Sequence, residues 1–231
     1  NILHSARALL AHATDLQTQI MTKGDTISGE LKLGSFSTLA SSILPRLINS
    51  FSSKYPEIHL KITEGTQVEL LQGLNSGQLE MALLYDLDLP SSIKKTKLTE
   101  LTPHAVLPVG HPLSTQVDVN ISDLAGEPFI LLDVPPSREY FLGLFKSAGL
   151  EPNIVHSSPS LELVRGLVGY GLGFSLLVTR PASDLTYDGQ QLSIRPLRNK
   201  LNTSSIVLAH HKDLRPTQLM KAFSNLAQSI M

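Results

Sequence analysis

The fold is decided by residues 30–85, ELKLGSFSTLASSILPRLINSFSSKYPEIHLKITEGTQVELLQGLNSGQLEMALLY, because two hydrophobic periods alternate within it. Leu31 and Leu33 alternate as a strand and lead into a loop at Gly34–Ser37. Leu39, Ile43, Leu44, Leu47, Ile48 and Phe51 then recur at helical spacing until Lys54-Tyr55-Pro56 stops them. Ile58, Leu60 and Ile62 alternate as a second strand. Thr66 is placed to cap a helix carrying Val68, Leu70, Leu71 and Leu74, Gly77 closes that helix, and Met81–Tyr85 reads as a buried strand. The order βαβαβ implies a parallel sheet with right-handed crossovers.

Working outward, strands are expected near residues 105–109, 128–133, 153–156, 174–178, 192–196 and 205–210, with helices near 138–148, 161–170 and 216–230. For 231 residues, two α/β units of about 100 residues each are more natural than one long sheet. In the other direction, Ile2, Ala6, Leu9, Ala13, Leu16 and Ile20 form a stripe at coiled-coil spacing, and Gly24 in the polar run Thr22–Ser28 ends it. The stripe fits packing on its own domain or on a second chain equally well.

Composition excludes several functions. Nineteen Lys and Arg against twenty Asp and Glu leave a formal charge of −1, which argues against strong nucleic-acid binding by these residues alone. With no cysteine, disulfides, thiolate catalysis and Cys-ligated metals are ruled out. No stretch approaches the ~18 apolar residues of a membrane span, and no export signal opens the chain, so a cytoplasmic protein is expected. The first residue is Asn1 rather than Met, which reads as a fragment or a processed product.

Motif-like strings yield no catalyst. Gly169, Gly171 and Gly173 follow a helix and precede a strand, the reverse of a dinucleotide loop, and read as a helix stop leading into a tightly packed strand. Ser175 lies inside an apolar run and has no glycine two residues on, so it is no nucleophile elbow. His210 and His211 point to opposite faces of a strand, and His104 and His111 lack partners at ligand spacing. Lys94, Lys95 and Lys97 form a small basic cluster, best read as a solvated face. No catalytic residue, metal or cofactor is expected.

The strand ends are more informative, since ligands of open α/β sheets bind beyond the carboxyl ends of the strands. Those positions hold Gly34, Ser35, Phe36, Ser37 and Thr38 after the first strand and Gly65 with Thr66 after the second. Ser137 and Arg138 open a further helix in the other half, with Arg138 a candidate anion partner. Free N–H groups at such helix starts suit a small anion, although each hydroxyl is equally explained as a plain cap.

The order of a stripe-bearing helix, Gly29-Glu30-Leu31-Lys32-Leu33-Gly34, Leu44-Pro45, Phe51 with Tyr55-Pro56-Glu57, Glu64-Gly65, Leu71–Leu84 with Gly77, Leu107-Pro108-Val109-Gly110-His111-Pro112-Leu113, and Leu167–Leu177 resembles the regulatory part of LysR-type transcriptional regulators. The resemblance implies two Rossmann-like subdomains in a periplasmic-binding-protein-like (type 2) fold, with a small anionic or aromatic effector in the cleft between them. It assigns residues 1–27 to the end of a linker and dimerisation helix, 28–101 plus 211–231 to the first subdomain and 102–210 to the second. The strand near 105–109 would lie beside that near 205–210 as a hinge pair. The family's winged helix-turn-helix is not in this chain, so DNA would be met only through that missing domain. Ser37 and Thr66 fall where family members hold an effector carboxylate, and Ser35, Phe36, Thr38, Ser137, Arg138 and Phe174 join the expected effector site. Val178 stands where many members have Pro. The implied protein is a self-associating dimer or tetramer and not an enzyme. The rival reading is a solute-binding protein for transport, which shares the fold but needs an export signal and no coiled-coil stripe.

Overall fold

A computed structural model describes residues 27–198 and 203–231. The stripe of residues 1–22, and with it most of the expected linker helix, lies outside the described residues. The chain divides into two units: one runs up to Glu100 and resumes over Ser205–Met231, and the other is Leu101–Ser204.

In the first unit, β1 (Gly29–Phe36) pairs in parallel with β2 (Ile58–Gly65) along its whole length and with β3 (Met81–Tyr85) over Leu33–Ser35. The sheet is completed by β10 (Ser204–His211), antiparallel to β3, and by β4 (Ile93–Leu101), giving the order β2-β1-β3-β10-β4. The expected loop at Gly34–Ser37 is corrected: the strand continues through Phe36, and Gly34 is needed inside it. A Cβ there would stand 2.8 Å from both Leu70 Cδ2 and Leu79 Cδ1. β4 carries no sequence signal because Lys94, Lys95, Lys97 and Glu100 are exposed on this edge strand.

After β1 a single turn, α1 (Ser37–Ala40), leads to α2 (Leu44–Lys54), whose Leu44, Leu47 and Phe51 recur on one buried face. α2 ends where the Tyr55 N–H bonds the Phe51 carbonyl at 2.8 Å, and Pro56 bars continuation. α3 (Gln67–Ser76) closes on Gly77, whose φ of 77° is the left-handed cap. α6 (Gln218–Ile230) packs on α2, with Phe51 and Phe223 edge to face at 5.0 Å. Alternation along β1 turns Gly29 toward Leu219 of α6 and Gly34 toward Leu70 of α3, so helices cover both faces of the sheet.

In the second unit, β5 (His104–Pro108) lies between β8 (Ser175–Leu177) and β9 (Leu192–Pro196), antiparallel to both. The expected hinge pair of this strand with residues 205–210 is therefore wrong. β10 takes its partners, β3 and β4, in the first unit, which moves the second crossing of the chain from 210/211 to 204/205. β6 (Pro128–Leu132) and β7 (Asn153–Ser158) pair in parallel, flanking α4 (Ser137–Ser147) in sequence, and α5 (Leu161–Gly169) follows β7. Phe129 anchors this core between Phe145 at 5.2 Å and Phe174 at 5.1 Å.

The Gly169-x-Gly171-x-Gly173 string is a helix stop. Gly173, at φ 154°, brings its backbone so close to β6 that a Cβ would lie 2.4 Å from the Pro128 carbonyl oxygen. The second unit also buries a charge, since Arg165 on α5 is 1% exposed. Its guanidinium donates to the Ser183 and Leu185 carbonyls at 3.2 and 2.7 Å and meets Glu162 at 3.0 Å, pinning residues 183–185 to the helix. No helix among the described residues is long and apolar enough to cross a membrane.

Two outcomes follow from this packing. Gly77→Ala has free space but takes on left-handed strain, costing about 1 kcal/mol. Gly173→Ala adds a backbone clash and should cost at least about twice as much, read as the larger drop in urea midpoint. The second outcome concerns His104, whose pKa falls from 6.5 to about 4 through burial and the neighbouring Arg180 charge. A depressed histidine keeps its full stability contribution above pH 6.5 and loses it as the pH falls toward 4, by at most about 3 kcal/mol. His104→Asn should flatten that part of the Tm–pH curve.

Candidate functional site

The carboxyl ends of β1 and β2 meet because the two strands run in parallel register to their last residues, Phe36 opposite Gly65. Ser37 fastens the two loops, its hydroxyl donating to the Gly65 carbonyl at 3.3 Å. The structure thus brings Ser35, Phe36, Ser37, Thr38 and Thr66 to one edge of the first unit. Their exposure differs, however. Ser35 is fully buried and donates to the Phe36 carbonyl at 3.3 Å. Phe36 is also fully buried, edge-on to Tyr85 at 5.4 Å between centroids. The Thr38 hydroxyl is hydrogen-bonded to the Tyr85 hydroxyl at 2.8 Å. These three shape the floor, and Ser37 and Thr66 remain partly exposed.

Thr66 caps α3 in a reciprocal arrangement that the spacing Thr66-x-x-Glu69 already carries. Its N–H and its hydroxyl both donate to Glu69 Oε2 at 2.8 Å, and the Glu69 N–H donates back to the Thr66 hydroxyl at 3.4 Å. Those two bonds from Thr66 hold the exposed Glu69 carboxyl below its ordinary pKa. A resident carboxylate therefore already complements the positive end of this helix. Of the first-turn donors, the N–H groups of Gln67 and Val68 have no partner within the helix.

Gln67 carries no signal in the sequence, yet it too is buried at this edge, at 7% exposure. Its Nε2 donates to the Leu87 carbonyl at 2.9 Å, tying α3 to the loop after β3, and its Oε1 has no partner and no exposed surface.

In the second unit, Ser137 is buried at the first turn of α4. Arg138 is ion-paired with Asp133 at 2.8 Å, and that bond raises the pKa of its guanidinium. Arg138 is thus a neutralised pair rather than an open cation. Phe174 is 1% exposed, stacked beside Phe129 near the start of β6, whereas Ser137 and Arg138 follow the end of that strand. Phe174 serves the core and is not brought to the other two. Among the described residues no group of three or more His, Cys, Asp or Glu side chains could hold a metal ion.

Comparison with known proteins bears on the family and the fold. Residues 24–231 match the model of the LysR substrate binding domain. The crystal structure of HinK, a LysR family transcriptional regulator from Pseudomonas aeruginosa, is 43% identical and superposes with a TM-score of 0.85, covering 97% of this chain and 77% of that one. The HTH-type transcriptional regulator YybE of Bacillus subtilis (strain 168) is 30% identical over 176 residues, which are 76% of this chain and 60% of YybE. The effector binding domain of QuiR in complex with shikimate shares the fold, with a TM-score of 0.77 at 20% identity over 88% of this chain and 97% of that one. The chain spans 52 to 61% of the length of the first curated relatives it matches. A mixed α/β fold with loops gathered at parallel strand ends and a family match over residues 24–231 lead to one conclusion: the chain belongs to the LysR family and carries its substrate-binding (effector-binding) domain.

Proposed function

We propose that the chain senses a small anionic or aromatic molecule at the edge where β1 and β2 end, and thereby sets the DNA binding of a cytoplasmic regulator whose DNA-binding domain lies outside it. The observation that carries this reading is the Ser37–Gly65 clasp, which places a partly exposed hydroxyl between two strand-end loops. The related fold of QuiR is in complex with shikimate, a small carboxylate. Ser37 is the stronger candidate for the effector carboxylate. Its internal bond is long at 3.3 Å and readily exchanged, whereas both Thr66 donors are committed to Glu69. Arg138 contributes to anion binding only by exchanging Asp133 for the ligand. With no cysteine, this chain holds no thiol through which to sense by oxidation. Such a ligand alters DNA binding only if it prefers one of two states of the regulator.

Ser37→Ala combined with Thr66→Ala should abolish the rise in Tm produced by a responsive small carboxylate, while the unliganded Tm falls by the lost cap and the lost Ser37–Gly65 bond, about 2 kcal/mol of stability together. An undiminished rise in that variant places the effector elsewhere. We also propose that the stripe of residues 1–22 pairs subunits. Light scattering should then report a lower oligomer for a chain beginning at residue 23 than for the chain beginning at Asn1, and equal masses would rule the stripe out as the main contact.

A further inference from the structure

We propose that the face formed by α2 and α6 is an auxiliary contact for the sugar-phosphate backbone of duplex DNA, independent of the strand-end edge and resting only on the chain being part of a DNA-bound regulator. The net charge of −1 conceals an uneven distribution. No acidic residue occurs between Glu30 and Glu57, and residues 189–231 hold six Lys and Arg against Asp213 alone. Folding brings these two stretches together. Arg46, at the start of α2, donates to the Ile230 carbonyl at the end of α6 at 3.2 Å, and Phe51 meets Phe223, so the two helices run antiparallel side by side.

The cations of this face differ from those elsewhere. Lys95, Lys97, Arg138, Arg165, Arg180 and Arg198 each meet a carboxylate at 2.5 to 3.0 Å. Arg46, Lys54, Lys212, Arg215 and Lys221 are all exposed, and no carboxylate among the described residues pairs with any of them. Even with Glu30, Glu57 and Asp213 set against them, the five leave an excess of positive charge. The positions between them suit a phosphate backbone. Asn49, Ser52, Ser53, Asn225 and Gln228 are exposed on the same two helices, and such side chains hydrogen-bond phosphate and sugar oxygens. None of the large apolar side chains exposed on this protein lies on α2 or α6, so the face lacks the anchors with which a helix enters a lipid surface.

With 13 residues, α6 is about 20 Å long, and a duplex carries about a dozen backbone charges over that length. A handful of cations makes a weak contact alone, in keeping with the net charge. It becomes occupied when another domain holds the same duplex, because tethering raises the effective concentration to the order of 1 mM.

The test follows the fluorescence anisotropy of a labelled duplex of about 30 base pairs and arbitrary sequence, titrated with the whole chain. A Kd on the order of 10–100 µM is expected at about 20 mM NaCl, and affinity should fall roughly 80-fold by about 100 mM if three phosphates are neutralised. Lys54→Gln with Arg215→Gln and Lys221→Gln should weaken binding at least about tenfold and flatten its salt dependence. Lys61→Gln with Lys94→Gln and Lys146→Gln removes the same charge from other exposed positions and should leave binding unchanged. No binding at about 20 mM NaCl, or equal loss in the two variants, overturns the proposal. Tighter binding to phosphatidylglycerol vesicles or to poly-glutamate than to the duplex also overturns it, assigning the face to a membrane or to an acidic protein. If a variant does not fold, as judged by circular dichroism, the salt dependence and the competing polyanions on the unmodified chain decide. Failure here leaves the effector reading standing, since the Ser37 and Thr66 variant tests that separately by thermal shift.

Discussion

The distance at which α3 lies on β1 governs the geometry of the strand-end edge. β1 has parallel neighbours on both sides, and Gly34, two residues before its end, leaves the space that Leu70 and Leu79 fill. Gly73 repeats the device from the helix side, where a Cβ would meet Leu79 Cδ1 at 2.7 Å. With backbone and helix this close, the first turn of α3 is held against the end of β2, and Thr66 follows Gly65 directly at the point that Ser37 clasps. A side chain at position 34 would push α3 outward and pull Thr66 and Gln67 away from the β1 loop.

The polar edge is internally balanced. Ser37 is spent on Gly65, Thr66 on Glu69, Thr38 on Tyr85 and Arg138 on Asp133. Each bond rigidifies the loop that bears it, and each must be exchanged before its atoms can serve a ligand. A site of this kind gains only the difference between old and new hydrogen bonds, which favours selectivity over raw affinity.

Much of the fold was legible in the letters. The helical spacing of Leu44, Leu47 and Phe51 reports burial that local geometry imposes, whereas the alternation of Ile58, Leu60 and Ile62 marks the strand although only Ile58 is buried and Ile62 is 40% exposed. β4 was not legible, since an edge strand with Lys94, Lys95 and Lys97 facing water shows no apolar alternation. Nor was the extent of β1, because Gly34-Ser35 resembles a turn unless one knows that Leu79 needs the space. At the site, the Thr66–Glu69 box could be read directly, whereas the enclosure of Gln67 depends on Leu87, twenty residues away in the next loop. Arg165 is a similar case, a charge within an apolar helix whose burial makes sense only once residues 183–185 fold back onto it.

The interleaving of the two units also has a temporal side. β3 is flanked in the finished sheet by β1 and β10, yet Tyr85 and its partner Ile206 are separated by the whole of the second unit. On a chain emerging from the ribosome, Met81–Tyr85 presents an open, wholly apolar edge until more than a hundred further residues have been made. The second unit, continuous in sequence, can condense during that interval, and the first can close only around the returning β10 and α6. The order of synthesis thus makes the β1–β2 edge the last part of the molecule to acquire its supporting sheet.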